Sequence, residues 1–221
     1  MPKRPFLIRT NILSKMCFSH GLQIFSIEFR SMNIKLPGIY HIYNRGINQQ
    51  KIFFRRENYQ FFLQKCHTHL KPVSDILAWS LTPTHFDFLM EVNEVGLLPV
   101  KQGCLSIPVI SNAIRRLQSE YAKTINIEVR RYGNLFQQKA RSNYLSTKES
   151  ALTTFHYIHQ IPMIDGLVNI PNEWPFSSFC EYISDKPETL CNKQKAFEFF
   201  KLNLCNIRGC LEIYPTLKIS V

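Results

Sequence analysis

The stretch Leu81-Thr-Pro-Thr-His-Phe-Asp-Phe-Leu-Met90 constrains this chain more than any other. Pro83 presets a turn, and the apolar run after it is a strand whose side chains alternate between two faces. His85 and Asp87 therefore point one way, while Phe86, Phe88 and Met90 point the other. One face is core; the other presents an imidazole and a carboxylate. That pair on a rigid strand suits a divalent cation, because imidazole nitrogen is a good transition-metal donor and hard cations prefer carboxylate oxygen. An ordinary solvated strand can also carry His-x-Asp, so the pair alone assigns no role.

The flanking pattern supplies the architecture. Ile76 to Leu81 forms a strand joined to the His85 strand by the tight turn, making a hairpin. Gly38 to Ile47 alternates aromatic and aliphatic residues and predicts a first strand that stops at Gly46. Tyr59, Phe62, Leu63, Cys66 and Leu70 recur at helical intervals and predict a helix over 57–70, ended by Pro72. Ile110, Ile114, Leu117, Tyr121 and Ile125 do the same for 106–128, and Leu135 to Leu145 predicts a further strand. Strand, helix, strand, strand, helix, strand is the order of an α+β, ferredoxin-like antiparallel sheet with two helices on one face. The other face is free for a ligand.

A third helix, Thr147 to His159, starts at a Ser146-x-x-Glu149 capping box and ends near Pro162 and Gly166. Following the last strand, it can lie across the open face, and it carries Tyr157. A tyrosine oxygen aimed at phosphorus is a competent nucleophile when charge on the phosphate is drawn off by a cation. The same residue can equally serve as a packed helix ring with a wet hydroxyl. His159, two residues on, faces roughly the opposite side and is expected to pack or cap, whereas His41 on the first strand could approach the cation pair. A tail follows, with a helix expected around Lys193 to Leu204. The chain thus divides into a basic leader over 1–31 that the fold does not need, a main domain over 32–183 and an accessory tail over 184–221, and Met32 is a candidate translation start.

Net charge narrows the partner. At +11, with 27 Lys and Arg against 16 Asp and Glu, the chain attracts polyanions, nucleic acid ahead of an anionic membrane surface. Asn44, Arg45, Arg115, Arg116, Lys139 and Arg141, interleaved with Tyr43, Phe53, Phe54 and Tyr132, are candidates to contact phosphates and stack on unpaired bases. Seven scattered cysteines without a CxxC pair point to reduced thiols in a cytoplasmic protein. No run of about eighteen apolar residues is present to span a bilayer.

Six collinear strings carry a family resemblance: YHIYNRG (Tyr40 to Gly46), IFF (Ile52 to Phe54), LTPTHFDFLMEV (Leu81 to Val92), GNLFQ (Gly133 to Gln137), YIHQIPMIDGLV (Tyr157 to Val168) and WPFSSF (Trp174 to Phe179). Together they resemble the IS200-like tyrosine transposases, HUH single-strand DNA nucleases, and within them the branch associated with repetitive extragenic palindromes. The resemblance covers about Gly38 to Tyr182. It implies recognition of a DNA hairpin, a Mg²⁺ or Mn²⁺ cofactor and cleavage of single-stranded DNA to a 5′-phosphotyrosine, by a monomer or homodimer. It assigns Tyr157 as nucleophile and His85 as a metal ligand, with Asp87 where the family has its second His. Where the family commonly has a polar ligand, four residues after the tyrosine, this chain has Ile161, with Gln160 one residue short as the substitute donor. A catalytically degenerate hairpin-binding protein of the same fold is the alternative.

Overall fold

The computed structural model describes residues 32–102, 105–184 and 190–202. The leader and most of the tail, including the last two residues of the helix expected up to Leu204, lie outside the described residues. Gly38–Arg45 forms β1, Arg56–His69 α1, Asp75–Leu81 β2 and His85–Val92 β3. A short helix, α2 (Glu94–Leu97), and a small antiparallel pair of β4 (Pro99–Gln102) and β5 (Leu105–Pro108) follow. Then come α3 (Val109–Glu128), β6 (Arg141–Leu145), α4 (Lys148–Ile164), α5 (Phe179–Ile183) and α6 (Lys193–Phe200).

The main sheet has the order β2-β3-β1-β6 with every neighbouring pair antiparallel. Each central strand is joined to an edge strand through a helix, β1 to β2 by α1 and β3 to β6 by way of α3, which is the expected ferredoxin-like connection. Strand alternation sorts the residues: Tyr40, Ile42 and Asn44 of β1 pair with Met90, Phe88 and Phe86 of β3 on one face. On that face α1 and α3 pack together. Phe62 meets Tyr121 edge-on at 4.9 Å and Phe86 at 5.3 Å, and the buried Tyr121 hydroxyl donates to the Ile52 carbonyl at 2.7 Å. Burial pushes the Tyr121 phenol far up, so it stays a neutral donor.

Four boundaries differ from expectation. The helix expected over 106–128 starts only at Val109, because residues up to Pro108 pair with β4 as β5. The strand predicted over 135–145 is regular only from Arg141, because Leu135, Phe136 and Ala140 are buried by packing while the backbone makes isolated bonds, Gln137 N–H to Arg45 O at 2.9 Å among them. The cap of α4 falls one residue later, at Thr147, whose hydroxyl accepts from Ser150 N–H at 3.1 Å. The helix also runs through Pro162 to Ile164 instead of stopping before it.

α4 lies across the second face and packs against all four strands. It ends in a Schellman motif: Gly166, with φ +69°, donates to Met163 O, and Leu167 N–H donates to Pro162 O, both at 2.9 Å. Asp165 is thereby fixed as its C-cap. The segment after it returns to the outer strand of the sheet. Leu81 N–H donates to Phe176 O at 2.9 Å, Trp174 Nε1 to Leu81 O at 2.9 Å, and Ser178 N–H to Trp79 O at 2.9 Å. The Ser178 hydroxyl takes the buried His159 Nε2 at 2.7 Å, which ties α4 to this segment, and burial lowers the His159 pKa to about 3. His159 is therefore a packed structural histidine.

Candidate active site

Ladder register decides which side chains meet. Arg45 lies opposite His85 and Tyr43 opposite Asp87, with Arg141 of β6 opposite Tyr43 from the other side. Residues directly opposite in an antiparallel pair share a face. His41, Tyr43, Arg45, His85, Asp87 and Arg141 therefore share the face covered by α4.

Asp87 is the centre of this group and is only 4% exposed. Its Oδ1 accepts from His41 Nε2 at 2.8 Å, and its Oδ2 is buried without a hydrogen-bond partner. On β2 the directly opposed residue, Ser80, also has a buried hydroxyl without a partner. His85 Nε2 stands 3.6 Å from Asp87 Oδ2 and 3.7 Å from Asp165 Oδ2. Neither separation is a hydrogen bond. The other ring nitrogen, Nδ1, is within 2.9 Å of the Thr82 hydroxyl and 3.1 Å of the Thr84 hydroxyl, which fix the plane of the ring.

Tyr157 projects from α4 into the same group, half-buried, with the edge of its ring toward the His41 ring at 6.3 Å. His41 is in turn stacked on Tyr43 at 4.7 Å. Burial, and after it the charges of Asp87 and Asp165, raise the Tyr157 pKa; Arg45 opposes them. Arg45 is thus the nearby cation that favours a phenolate.

These placements test a divalent cation against the donors present. Among the described residues no three His, Cys, Asp or Glu side chains form a ready-made metal cluster. What is present is looser: an orphaned carboxylate oxygen in a buried side chain, facing an imidazole nitrogen that its neighbours orient. Such a pair fits a hard cation, since both donors lack another use.

Gln160 is buried on α4, which runs unbroken through Pro162, three residues on and so about 60° round the helix from Tyr157, while Ile161, 2% exposed, belongs to the core. Asn44 is placed on the opposite face, 2% exposed, with its amide donating to Gln118 Oε1 at 2.6 Å and Gln137 O at 3.2 Å, which holds β1 to α3. Adjacent strand residues point oppositely, so Asn44 and Arg45 could not both have lain on the working face.

The remaining cations divide between two surfaces. Arg45 and Arg141 share the sheet face covered by α4, Arg45 near enough to act on Tyr157, whereas Arg115 and Lys139 line a cleft of about 650 Å³ between α3 and residues 133–140, together with Lys123 and the amides of Gln118, Asn126 and Gln138. Arg116, on the outer side of α3, pairs with Glu120 at 3.6 Å.

No family model and no curated protein matches the chain. Among solved structures it is similar in fold to a REP-associated tyrosine transposase bound to a REP hairpin. The TM-score is 0.54 at 16% identity, covering 74% of this chain and 88% of that one. No helix among the described residues is long and apolar enough to cross a membrane.

Proposed function

We propose that this protein binds hairpin DNA and cleaves an adjoining single strand through Tyr157. The observation that carries the reading is the convergence of Tyr157, His85, Asp87 and Arg45 on one sheet face from separate segments of the chain. The likeness to a hairpin-bound transposase supports it at the level of fold.

In the proposed reaction the Tyr157 oxygen forms a bond to phosphorus as the bond from phosphorus to the 3′-oxygen breaks. The phenolic proton is balanced by the one gained at the released 3′-hydroxyl, leaving a 5′-phosphotyrosine. The reverse attack by a 3′-hydroxyl on that linkage would join a second strand without ATP. A Mg²⁺ or Mn²⁺ ion held by His85 and Asp87 would supply charge withdrawal from the phosphate. The chain's own groups position the reaction: His41 holds the Asp87 carboxylate, Thr82 and Thr84 hold His85, and Arg45 favours the anionic phenol. Arg141 extends the positive charge along the same face, and Arg115 and Lys139 offer a second contact line for hairpin phosphates. Cys66 is a buried free thiol, which suits the cytoplasmic setting that a DNA substrate implies.

The test is incubation with end-labelled single-stranded hairpin DNA and Mn²⁺, followed by denaturing electrophoresis. A protein-linked band is expected from the wild type and none from Tyr157→Phe, with hairpin affinity the same for both. A specific observation favours one second reading, a hairpin binder that does not cut: the apolar Ile161 stands where the resembled family has a polar ligand. Hairpin binding by the wild type with no covalent band would establish it.

A further inference from the structure

We infer that Tyr132 is a stacking platform for one unpaired base of the DNA strand that adjoins the hairpin. The inference rests on the hairpin-binding reading above and adds a residue to it. Of the four aromatic residues that the sequence marks for base stacking, Tyr43 is stacked on His41 at 4.7 Å, and Phe53, 2% exposed, on Tyr59 at 4.4 Å. Phe54 is 42% exposed, whereas Tyr132 is 96% exposed. At that exposure the ring adds almost nothing to the core.

The turn that carries it is nevertheless braced on both sides. Arg130, with φ +50°, turns the chain away from the end of α3. The Arg131 guanidinium then donates to Asn126 Oδ1 and to Gln50 Oε1 at 3.1 Å and to Asn134 O at 3.2 Å, while Asn126 Nδ2 donates to Gly133 O at 3.0 Å. A base that stacks here meets a backbone already in place, so little ordering cost falls on binding.

Charge selects a nucleotide as the occupant. All three acceptors of Arg131 are neutral, so its charge is not cancelled, and Arg130 is exposed beside it. The nearby acid, Glu128, is taken by Arg55 at 3.5 Å and Asn58 at 2.9 Å. Phosphates on either side of a stacked base therefore meet positive charge. Gly133, next in the chain, lines the basic cleft along α3, where the Ser111 hydroxyl is buried without a hydrogen-bond partner among the described residues. The same segment is bonded to the end of β1: Ile47 N–H donates to Leu135 O at 3.1 Å and Gln137 N–H to Arg45 O at 2.9 Å. A base on Tyr132 thus anchors the strand between that cleft and the strand end bearing Arg45.

The experiment measures, by fluorescence anisotropy, binding of the full chain to a DNA hairpin with single-stranded oligothymidine flanks, and to a set in which one flank base at a time is an abasic site. Tyr132→Ala is expected to weaken binding of the intact oligonucleotide by about 10-fold, and Tyr132→Phe to leave it within about twofold, since stacking needs the ring and not the hydroxyl. The salt dependence and the melting temperature should match the wild type, because no phosphate contact and no buried group is lost. At one flank position the abasic site should weaken the wild type by a similar factor and Tyr132→Ala no further. Equal affinity of Tyr132→Ala and wild type would overturn the inference, as would a loss in Tyr132→Ala that persists at every abasic position. So would a lower melting temperature that accounts for the loss, or unchanged DNA affinity with self-association abolished, which would make this surface a contact between copies of the chain. A wild type that binds no hairpin would overturn the DNA reading itself.

Discussion

The sheet face beneath α1 and α3 and the face beneath α4 come from the same strands, often from adjacent residues, yet they are finished differently. On the first, Phe62, Phe86, Phe88 and Tyr121 interlock, and the polar groups that enter, such as Asn44 and the Tyr121 hydroxyl, have hydrogen-bond partners. On the second, Asp87 Oδ2 and Ser80 Oγ are buried without partners and two carboxylates approach one imidazole. Leaving such atoms unpaired costs stability, typically about 1–3 kcal/mol per neutral group and more for a charge. The contrast shows a chain that closes its core on one side and leaves polar capacity unused on the other.

The largest effect on stability should come from the closed face. Phe62→Ala is expected to lower unfolding free energy by about 3–5 kcal/mol in urea denaturation, since it opens a cavity among four rings. Asp87→Asn on the open face should cost far less stability while removing Mn²⁺ uptake; an equal loss of stability would erase the distinction between the faces. Next in size is Ser178→Ala, expected to cost about 1–3 kcal/mol because it strands the buried His159 nitrogen. This would show in thermal melting and in reduced adduct formation, as α4 loses its tie.

A pH titration sharpens the comparison within the helical layer. Glu120 of α3 is held down to about 2, first by its hydrogen bond to His69 and then by that to Lys65, both on α1. Its folded value lies below the ordinary 4.5, so its contribution is complete above that pH and is lost as pH falls from about 4.5 toward 2. Glu120→Gln should flatten the pH dependence of stability across that window without altering hairpin cleavage at neutral pH. The smallest effect is expected from Arg115→Ala, which should lower the salt dependence of hairpin binding by about one phosphate contact. Arg45→Ala should instead reduce adduct formation.

Much of the fold was legible because its periods are clean. The alternation in Leu81 to Met90 and the stripe from Ile110 to Ile125 each admit one regular structure, and β3 and most of α3 follow them. Leu135 and Phe136 misled because apolar burial and ladder pairing look alike in sequence, and here only the burial is present. In the site, the His85 and Asp87 geometry follows from strand parity alone. The same parity excludes Asn44 from the working face, so that signal was available. Asp165 was hidden for another reason. Pro162 reads as a helix stop, and only a helix that continues through it brings Asp165 beside His85.

The stitching of residues 174–178 onto Trp79 and Leu81 has a consequence in time. The sheet residues that hold His41, His85 and Asp87 are complete once the ribosome has made β6, but the clamp on α4 needs Ser178, which is synthesised later. A nascent chain stopped before Trp174 has the strands around Asp87 but lacks the bond from His159 of α4 to Ser178 and the stitching of that segment onto β2. Tyr157 is therefore the last part of this face to be secured, and a truncated product carries the His85 and Asp87 side chains without a locked tyrosine.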